Sequence, residues 1–303
     1  MKNYRNNIIT VYTPTYNRAY CLHQLYESLL RQTQSYDDFE WLVVDDGSTD
    51  NTEELLKKWI SDAPFKITYY KQINEGKMAK LNFIHKTIDT ELCMCVDSDD
   101  YLTDDALEII LNEWEVITDK TDIAGMVGLD IYKNGSVVGT TFPNSLNKIK
   151  YCDFGKYNVK GDKKFIYNTS IISSYPQYPS FRGEKFPAPG YLYRLIDVDY
   201  NLWIINKPLC VVEYLDDGLS KNKFSQFKKA PNSFMFYRQE RMRLATSTIE
   251  KFKNAIHYVS SCLFAKKNIF KNNKYPFITI LSVPFGIVLY LYIRNTKTRG
   301  VIK

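Results

Sequence analysis

Histidine is scarce in these 303 residues, with three spread over positions 23, 85 and 257 and forming no metal-ligand pattern. The six cysteines, at 21, 93, 95, 152, 210 and 262, include no C-x-x-C pair. Zinc and disulfide frameworks are therefore poor readings, and reduced thiols in a cytosol fit better. No G-x-G-x-x-G follows the first apolar run, which disfavours a dinucleotide site. A Gly-rich phosphate loop is also missing. Acidic residues nearly vanish late in the chain. From Gly218 onward there are 17 Lys/Arg against 2 Asp/Glu, while the preceding residues hold 23 against 32. A basic tail on an acidic body points to an anionic partner, either nucleic acid or a membrane surface. The opening M-K-N-Y-R-N-N leads straight into a short apolar run, so no signal peptide is expected.

The periodicity that is present alternates between two and 3.6 residues. Ile8 to Tyr12 reads as a strand stopped by Pro14, and a helix follows from Cys21 to Gln32. Glu40 to Val44 is a second buried strand, closed by D-D-G-S-T-D and followed by a helix from Thr52 to Ser61. A third strand, Ile67 to Tyr70, leads through I-N-E-G-K into a helix from Met78 to Thr87. This regular alternation predicts an α/β sheet with right-handed crossovers. Polar residues stand at the carboxyl ends of the strands, the edge where open sheets bind ligands.

The most telling stretch is Leu92 to Leu102, L-C-M-C-V-D-S-D-D-Y-L. An apolar run ends in three carboxylates within four positions, Asp97, Asp99 and Asp100. Like charges gathered in one place repel and raise each other's pKa, so stability does not explain them. A hard divalent cation does, since such ions bind one or two carboxylates together with substrate phosphates. Helix capping at Thr103 to Glu115 is the plainer alternative, but it employs one aspartate and leaves the others idle.

Four blocks, V-Y-T-P-T-Y-N-R, W-L-V-V-D-D-G-S-T-D-N-T, N-E-G-K-M-A-K-L-N and C-V-D-S-D-D-Y-L, stand in this order within residues 1–105. Together they resemble the family 2 glycosyltransferases of GT-A fold. The resemblance implies an α/β protein: a Rossmann-like mixed sheet flanked by helices, with a C-terminal helical extension. It also implies a nucleotide-diphosphate sugar donor, UDP-linked, transferred with inversion with the help of Mn²⁺ or Mg²⁺. Pro14, Thr15 and Tyr16 would line the nucleotide pocket, with Tyr16 against the base. Asp46, and Asp45 beside it, would meet the uracil edge, although Asp45 could simply bond its own turn. Lys77 or Lys80 would sit near base or phosphate, unless the two only make a solvated helix face. Asp97 would meet the ribose or donor sugar with Ser98 next to it, and Asp99 with Asp100 would hold the metal.

An inverting transferase needs a general base on the acceptor side. The family places a carboxylate downstream of D-x-D, and the best match is Glu184 in F-R-G-E-K-F, with Lys185 where an Asp often follows. Asp197 and Asp199, in L-I-D-V-D-Y, are the runners-up. Four prolines between 176 and 189 suggest a loop-rich acceptor region. A K-N-G-S turn at Lys133 to Ser136 suggests a hairpin among short strands. A strand is expected from Val211, and in relatives such a segment closes on the donor, so Ser220, Lys221 or Asn222 would touch diphosphate. The expected division is a catalytic domain over 1–222, with donor binding over 1–118 and the acceptor side over 119–222, then a helical extension over 223–303.

In that extension Tyr275 to Ile293 is uncharged, 19 residues interrupted by Pro284 and Gly286, with Lys271, Lys274, Arg294, Lys297 and Arg299 around it. This pattern fits an interfacial helical pair at a membrane better than a spanning helix. A core helix or an oligomer seam is the alternative. The expected place is cytoplasmic, at the inner face of the cell membrane, with a glycan or lipid-linked glycan as acceptor in bacterial surface polysaccharide synthesis. Two rival classes are a metal-dependent nucleotidyltransferase and a nucleic-acid binder using the basic tail. The second leaves the aspartates unexplained.

Overall fold

The computed structural model describes residues 8–185, 188–213 and 223–296, and its contacts divide into two units. The first comprises Met1–Pro176 and Ile196–Glu213, and the second Gln177–Leu195 and Tyr214–Lys303. In place of the expected single cut at 222, the chain passes between the units three times, after 176, 195 and 213, because the segment 177–195 groups with the C-terminal helices.

In the first unit, strands β1 (Ile9–Thr15), β2 (Phe39–Asp45), β3 (Lys66–Lys71) and β4 (Leu92–Cys95) lie in the order β3-β2-β1-β4, all parallel. Parallel neighbours need crossovers, and helices α1 (Leu22–Leu30), α2 (Thr52–Asp62) and α3 (Lys77–Thr87) supply them. β1 and β2 are buried along their whole lengths, as a sheet covered on both faces requires. The apolar face of α1, with Leu22, Leu25, Tyr26 and Leu29, packs against the sheet through an aromatic cluster. There the Tyr26 and Trp59 rings stack at 4.4 Å, and Trp41 lies 5.9 Å from Trp59. Such pairs add about 0.5–1.5 kcal/mol each beyond burial. In front of α2 the Asp50 carboxylate accepts bonds from the Thr52 amide and hydroxyl, with Glu53 and Glu54 complementing the helix dipole.

The rest of the sheet departs from the simple alternation. After β5 (Tyr101–Leu102) and α4 (Ala106–Val116) come β6 (Ile123–Ile131), β7 (Lys148–Ile149), β8 (Lys163–Asn168), α5 (Thr169–Ser174), α6 (Gly190–Ile196) and β9 (Asn201–Val211). β8 inserts antiparallel between β4 and β6, and β9 runs parallel to β6. The strand expected from Val211 therefore ends there instead of starting. The expected turn at Lys133 to Ser136 is present, closed by the Tyr132 amide donating to the Ser136 carbonyl at 2.9 Å. Its incoming arm is one nine-residue strand, β6, rather than a short one. All six cysteines are free.

The second unit holds nearly all of α6 together with α7 (Lys223–Lys229), α8 (Pro231–Arg243), α9 (Thr248–Phe264) and α10 (Pro276–Asn295). Met242, Ala255, Tyr258 and Cys262 form a small core among the last three helices. Glu250 joins two arginines, at 3.0 Å from Arg194 and 2.8 Å from Arg241.

Candidate active site

The carboxyl ends of β1, β2 and β4 form one rim. Thr15 pairs with Asp45 in register, and the Val96 amide donates to the Tyr12 carbonyl at 3.0 Å, so the D-S-D-D turn emerges beside the end of β1. The chain folds back sharply there, with the Asp100 amide donating to the Asp97 carbonyl at 3.0 Å. Thr15 is buried and its hydroxyl oxygen has no hydrogen-bond partner among the described residues. A buried polar atom left alone costs about 1–3 kcal/mol, which makes this a place for a ligand to bond. Tyr16 follows it, 46% exposed at the rim. Pro14 lies in β1 itself.

The three aspartates have different surroundings. Lys77, on the first turn of α3, reaches Asp97 with its ammonium 2.5 and 2.7 Å from the two carboxylate oxygens. Burial opposes charge on Asp97, but Lys77 prevails and holds the carboxyl below its usual range. Asp100 turns inward, where it accepts from the Glu213 amide at 3.3 Å and lies 4.0 Å from the Lys164 ammonium. Burial pushes its carboxyl up to about 8, Lys164 countering and the charges of Asp97, Asp99 and Asp130 adding to the rise. Asp99 is ion-paired to no lysine or arginine among the described residues. Its carboxyl is raised by burial and then by Asp97. Ser98 is buried, and its carbonyl accepts the Cys21 thiol.

This arrangement bears on a metal. Among the described residues no three carboxylate, imidazole or thiol groups converge into a ready-made cage. One under-neutralised carboxylate at a rim does fit an ion such as Mg²⁺ or Mn²⁺ that arrives with a diphosphate and keeps other ligands from it. Asp99 fits that role. Asp100, expected as a second ligand, is committed to Lys164 and the Glu213 amide instead.

Asp45, Asp46 and Lys80 also prove to be tied up by the chain. Asp45 is fully buried and accepts from the Ser48 amide and hydroxyl at 2.8 and 2.6 Å and from the Tyr69 hydroxyl at 2.8 Å. It thus makes its own turn, the plainer of the two roles weighed. Asp46 accepts from the amides of Glu75, at 2.7 Å, and Gly76, at 2.8 Å. Gly76 has φ 95°, a conformation that side chains resist, and it presents that amide just before α3 begins. Lys80 is 0% exposed, its ammonium 2.9 Å from both the Gln72 side-chain oxygen and the Ile73 carbonyl and 3.4 Å from Asp46. Full burial removes it from a donor's reach, so of the two lysines Lys77 is the one at the rim.

The base candidates divide similarly. Asp197 accepts from the amides of Tyr151 and Cys152 at 2.9 and 2.7 Å, and Asp199 accepts from the Tyr175 hydroxyl at 2.6 Å. Both precede β9, whose far end pairs with β5 next to the D-S-D-D turn. Eleven residues at about 3.3 Å each put them roughly 30 Å away, at the opposite edge of the sheet. That distance excludes them. Glu184, in the second unit, caps α8: its oxygens accept from the Asn232 amide (3.0 Å) and side chain (2.6 Å) and from the Ser233 amide (2.8 Å) and hydroxyl (2.9 Å). The N-cap residue is Ala230, which has no side chain to satisfy those amides, so Glu184 does it from elsewhere in the chain. Ser220, Lys221 and Asn222 lie outside the described residues.

Two site residues escaped the sequence reading. Lys164 on β8 is buried behind the D-S-D-D turn, its ammonium 3.4 Å from the Cys95 carbonyl. Burial opposes its charge, but the acidic groups around it, Asp130, Asp100 and Asp97 beside the Cys210 thiol, keep its pKa well above the ordinary lysine value. Asp130, at the same end of β6, is buried with one carboxylate oxygen unpartnered among the described residues. The available signal was a lone Asp in the otherwise apolar β6 and a pair of lysines opening β8.

A sequence profile described as Glycosyl transferase family 2 matches residues 10–170, more than half of the chain and the whole of this rim. The chain belongs to that family. Among curated family 2 relatives, glycosyltransferase GlyA of Streptococcus pneumoniae is 34% identical over 116 residues, 38% of this chain and 16% of that protein. The poly(ribitol-phosphate) β-N-acetylglucosaminyltransferase TarS of Staphylococcus aureus is 32% identical over 99 residues, 33% of this chain and 17% of TarS. The matched segments thus span about a sixth of these relatives. In fold, the crystal structure of S. aureus TarS 1-349 in complex with UDP-GlcNAc superposes with a TM-score of 0.58 at 15% identity, covering 94% of this chain and 91% of that one. A Pyrobaculum calidifontis mannosyltransferase, PcManGT, in complex with GDP-Man and Mn²⁺ superposes at 0.54 and 16% identity, covering 96% and 85%. The fold is GT-A, a mixed sheet flanked by helices.

Proposed function

We propose that this family 2 protein transfers a hexosyl or N-acetylhexosaminyl group, with inversion, from a UDP-linked sugar to a glycan or lipid-linked glycan of a bacterial surface polysaccharide. The observation that carries the reading is one rim where Thr15, Tyr16, Lys77, Asp97 and Asp99 meet at the ends of three parallel strands. TarS, named for N-acetylglucosaminyl transfer and crystallised with UDP-GlcNAc, supports the donor class.

The uridine rests on Tyr16 at the exposed rim, with Thr15 beneath it, while Asp45, Asp46 and Lys80 hold that wall in shape. Asp99, with Asp97 beside it, would hold a Mn²⁺ or Mg²⁺ ion, which when bound supplies Lewis-acid neutralisation of the diphosphate. Lys77 brings a cation to the same place and, on leaving Asp97, serves the phosphates directly. The acceptor oxygen forms its bond to the anomeric carbon as the bond to diphosphate breaks, and the hydroxyl proton passes to a carboxylate. Glu184 remains the candidate for that base, and to take the proton it releases one of its bonds to α8. Residues 223–303 bring the protein to the inner face of the cell membrane, where a lipid-linked acceptor resides.

Donor turnover across a panel of nucleotide sugars tests the proposal. Turnover of one UDP-sugar in the presence of Mn²⁺, abolished by Asp99→Ala with an unchanged far-UV spectrum, is the expected result. Full turnover by that variant would overturn it.

A further inference from the structure

Helix α10 is built inside out. Its buried positions are Thr279, Ser282, Gly286 and, near the end, Ile293, so three of the four are small, the two hydroxyl residues being 0% exposed. Gly286 is pressed so closely on α9 that a side-chain carbon there would fall 2.5 Å from Val259. The opposite face is large and apolar: Phe277, Leu281 and Val288 are 85%, 66% and 67% exposed, flanked by Ile280, Phe285 and Tyr292. At about 100° per residue these outer positions cover an arc of roughly 140°, centred opposite the small residues. A helix on a water-soluble core shows the reverse pattern. Small residues toward a partner helix with bulky apolar ones outward is the arrangement of helices that face lipid. The inward hydroxyls need no water, since Thr279 donates to the Tyr275 carbonyl at 2.8 Å and Ser282 to the Ile278 carbonyl at 2.7 Å.

Charge selects the kind of lipid. Lys266, Lys267, Lys271 and Lys274 are all exposed in the connection leading into α10, and Arg294 is exposed at its far end. Depth follows from packing. The 20 residues are long enough to span a bilayer core, at about 1.5 Å each. Yet the inner face of α10 lies along α9, which carries Glu250, Lys251, Lys253 and Asn254 and would be dragged into hydrocarbon with it. Pro284 also removes the amide that would meet the Ile280 carbonyl, a defect tolerated where water still reaches.

We infer that α10 lies in the plane of an anionic bilayer surface, its Phe277–Leu281–Val288 face among the acyl chains and its flanking lysines on the headgroups, with α9 stacked above it. This sharpens the membrane side of the proposed function and is independent of the transfer chemistry.

The test is flotation of the full chain with vesicles of phosphatidylcholine alone and with roughly one part phosphatidylglycerol in three. The wild type should float with the anionic vesicles and weakly with the neutral ones. A Leu281→Asp, Val288→Asp variant should lose at least about tenfold in binding, with its melting temperature unchanged because both side chains point away from α9. Lys266→Gln, Lys271→Gln, Lys274→Gln should erase the preference for anionic vesicles, a loss on the order of a hundredfold at about 1 kcal/mol per lysine. Equal flotation of wild type and the aspartate variant overturns the inference. So does a wild-type dimer that the aspartates convert to monomer without any vesicle binding, which would make a second copy the occupant. Binding of single-stranded RNA without vesicle binding would overturn it too. A UDP-sugar melting shift on the same preparation separates this failure from failure of the transferase reading.

Discussion

Replacing Lys80 by methionine isolates the strut beneath the Asp46 side of the rim. The methionine keeps most of the stem volume and deletes the ammonium. Three oxygens then lose a donor at once: the Gln72 side chain and the Ile73 carbonyl, each at 2.9 Å, and Asp46 at 3.4 Å. Removing one partner of a buried charge pair destabilises by about 3–5 kcal/mol, since the other charge stays buried without it. Asp46 keeps its bonds from the Glu75 and Gly76 amides, which places the expected loss at the lower end, about 3 kcal/mol. For a domain of this size that is a fall in Tm of roughly 6–12 °C. Because Asp46 and the residues from Ile73 to Gly76 frame the rim, affinity for a UDP-sugar should weaken as well. Thermal unfolding and titration calorimetry on Lys80→Met measure both. A variant melting within about 2 °C of wild type and binding the donor normally would refute a structural role for this lysine.

Further outcomes follow from the same contacts. Glu184→Gln should lower Tm along with any loss of transfer, by about 1–3 kcal/mol of stability, because it weakens four bonds at the start of α8. Lost transfer at unchanged Tm would instead mean that its only role is as a base. His85 is packed edge-on against Tyr12, and burial pushes its imidazole from 6.5 down to about 4. Between those values the unfolded chain takes up a proton that the folded chain refuses. The stability this histidine provides is complete above pH 6.5 and is lost as pH falls toward 4, by about 3 kcal/mol at most. Urea unfolding of wild type and His85→Gln at pH 7 and about pH 4.5 should show a shallower decline in the variant, and identical declines would contradict the burial argument.

The first half of the fold is legible because its signals are local. Apolar runs of strand length and the D-D-G turn mark out β1 to β4 with their crossovers, and four short motifs fix the order of the rim; Pro14 does not stop β1, which runs on through it to Thr15. What stays hidden depends on partners far away in the chain. β8 enters antiparallel beside β4 some 70 residues after it, and nothing in K-K-F-I-Y-N names that neighbour. Lys164 and Asp130 acquire meaning only once the sheet sets them behind Asp100. Glu184 and Asp197 are hard to tell apart in the sequence because a carboxylate in a loop looks the same whatever it bonds. The donors that reach them, Ser233 in one case and Cys152 in the other, are 49 and 45 residues distant. Asp45, Asp46 and Lys80 follow the same rule. A family motif marks them as important, and only the hydrogen bonds show which parts of the chain each one ties together.

Everything about the chemistry rests on Asp99 serving a metal-bound diphosphate. The direct measurement is the melting shift produced by a UDP-sugar with and without Mn²⁺, on wild type and on Asp99→Asn. A ligand at 100 times its dissociation constant stabilises by about 2.7 kcal/mol, or roughly 5–10 °C here. The wild type should show that shift with Mn²⁺ and much less without it, and Asp99→Asn should show the smaller shift in both. An Asp99→Asn protein that keeps the full Mn²⁺-dependent shift would contradict the account.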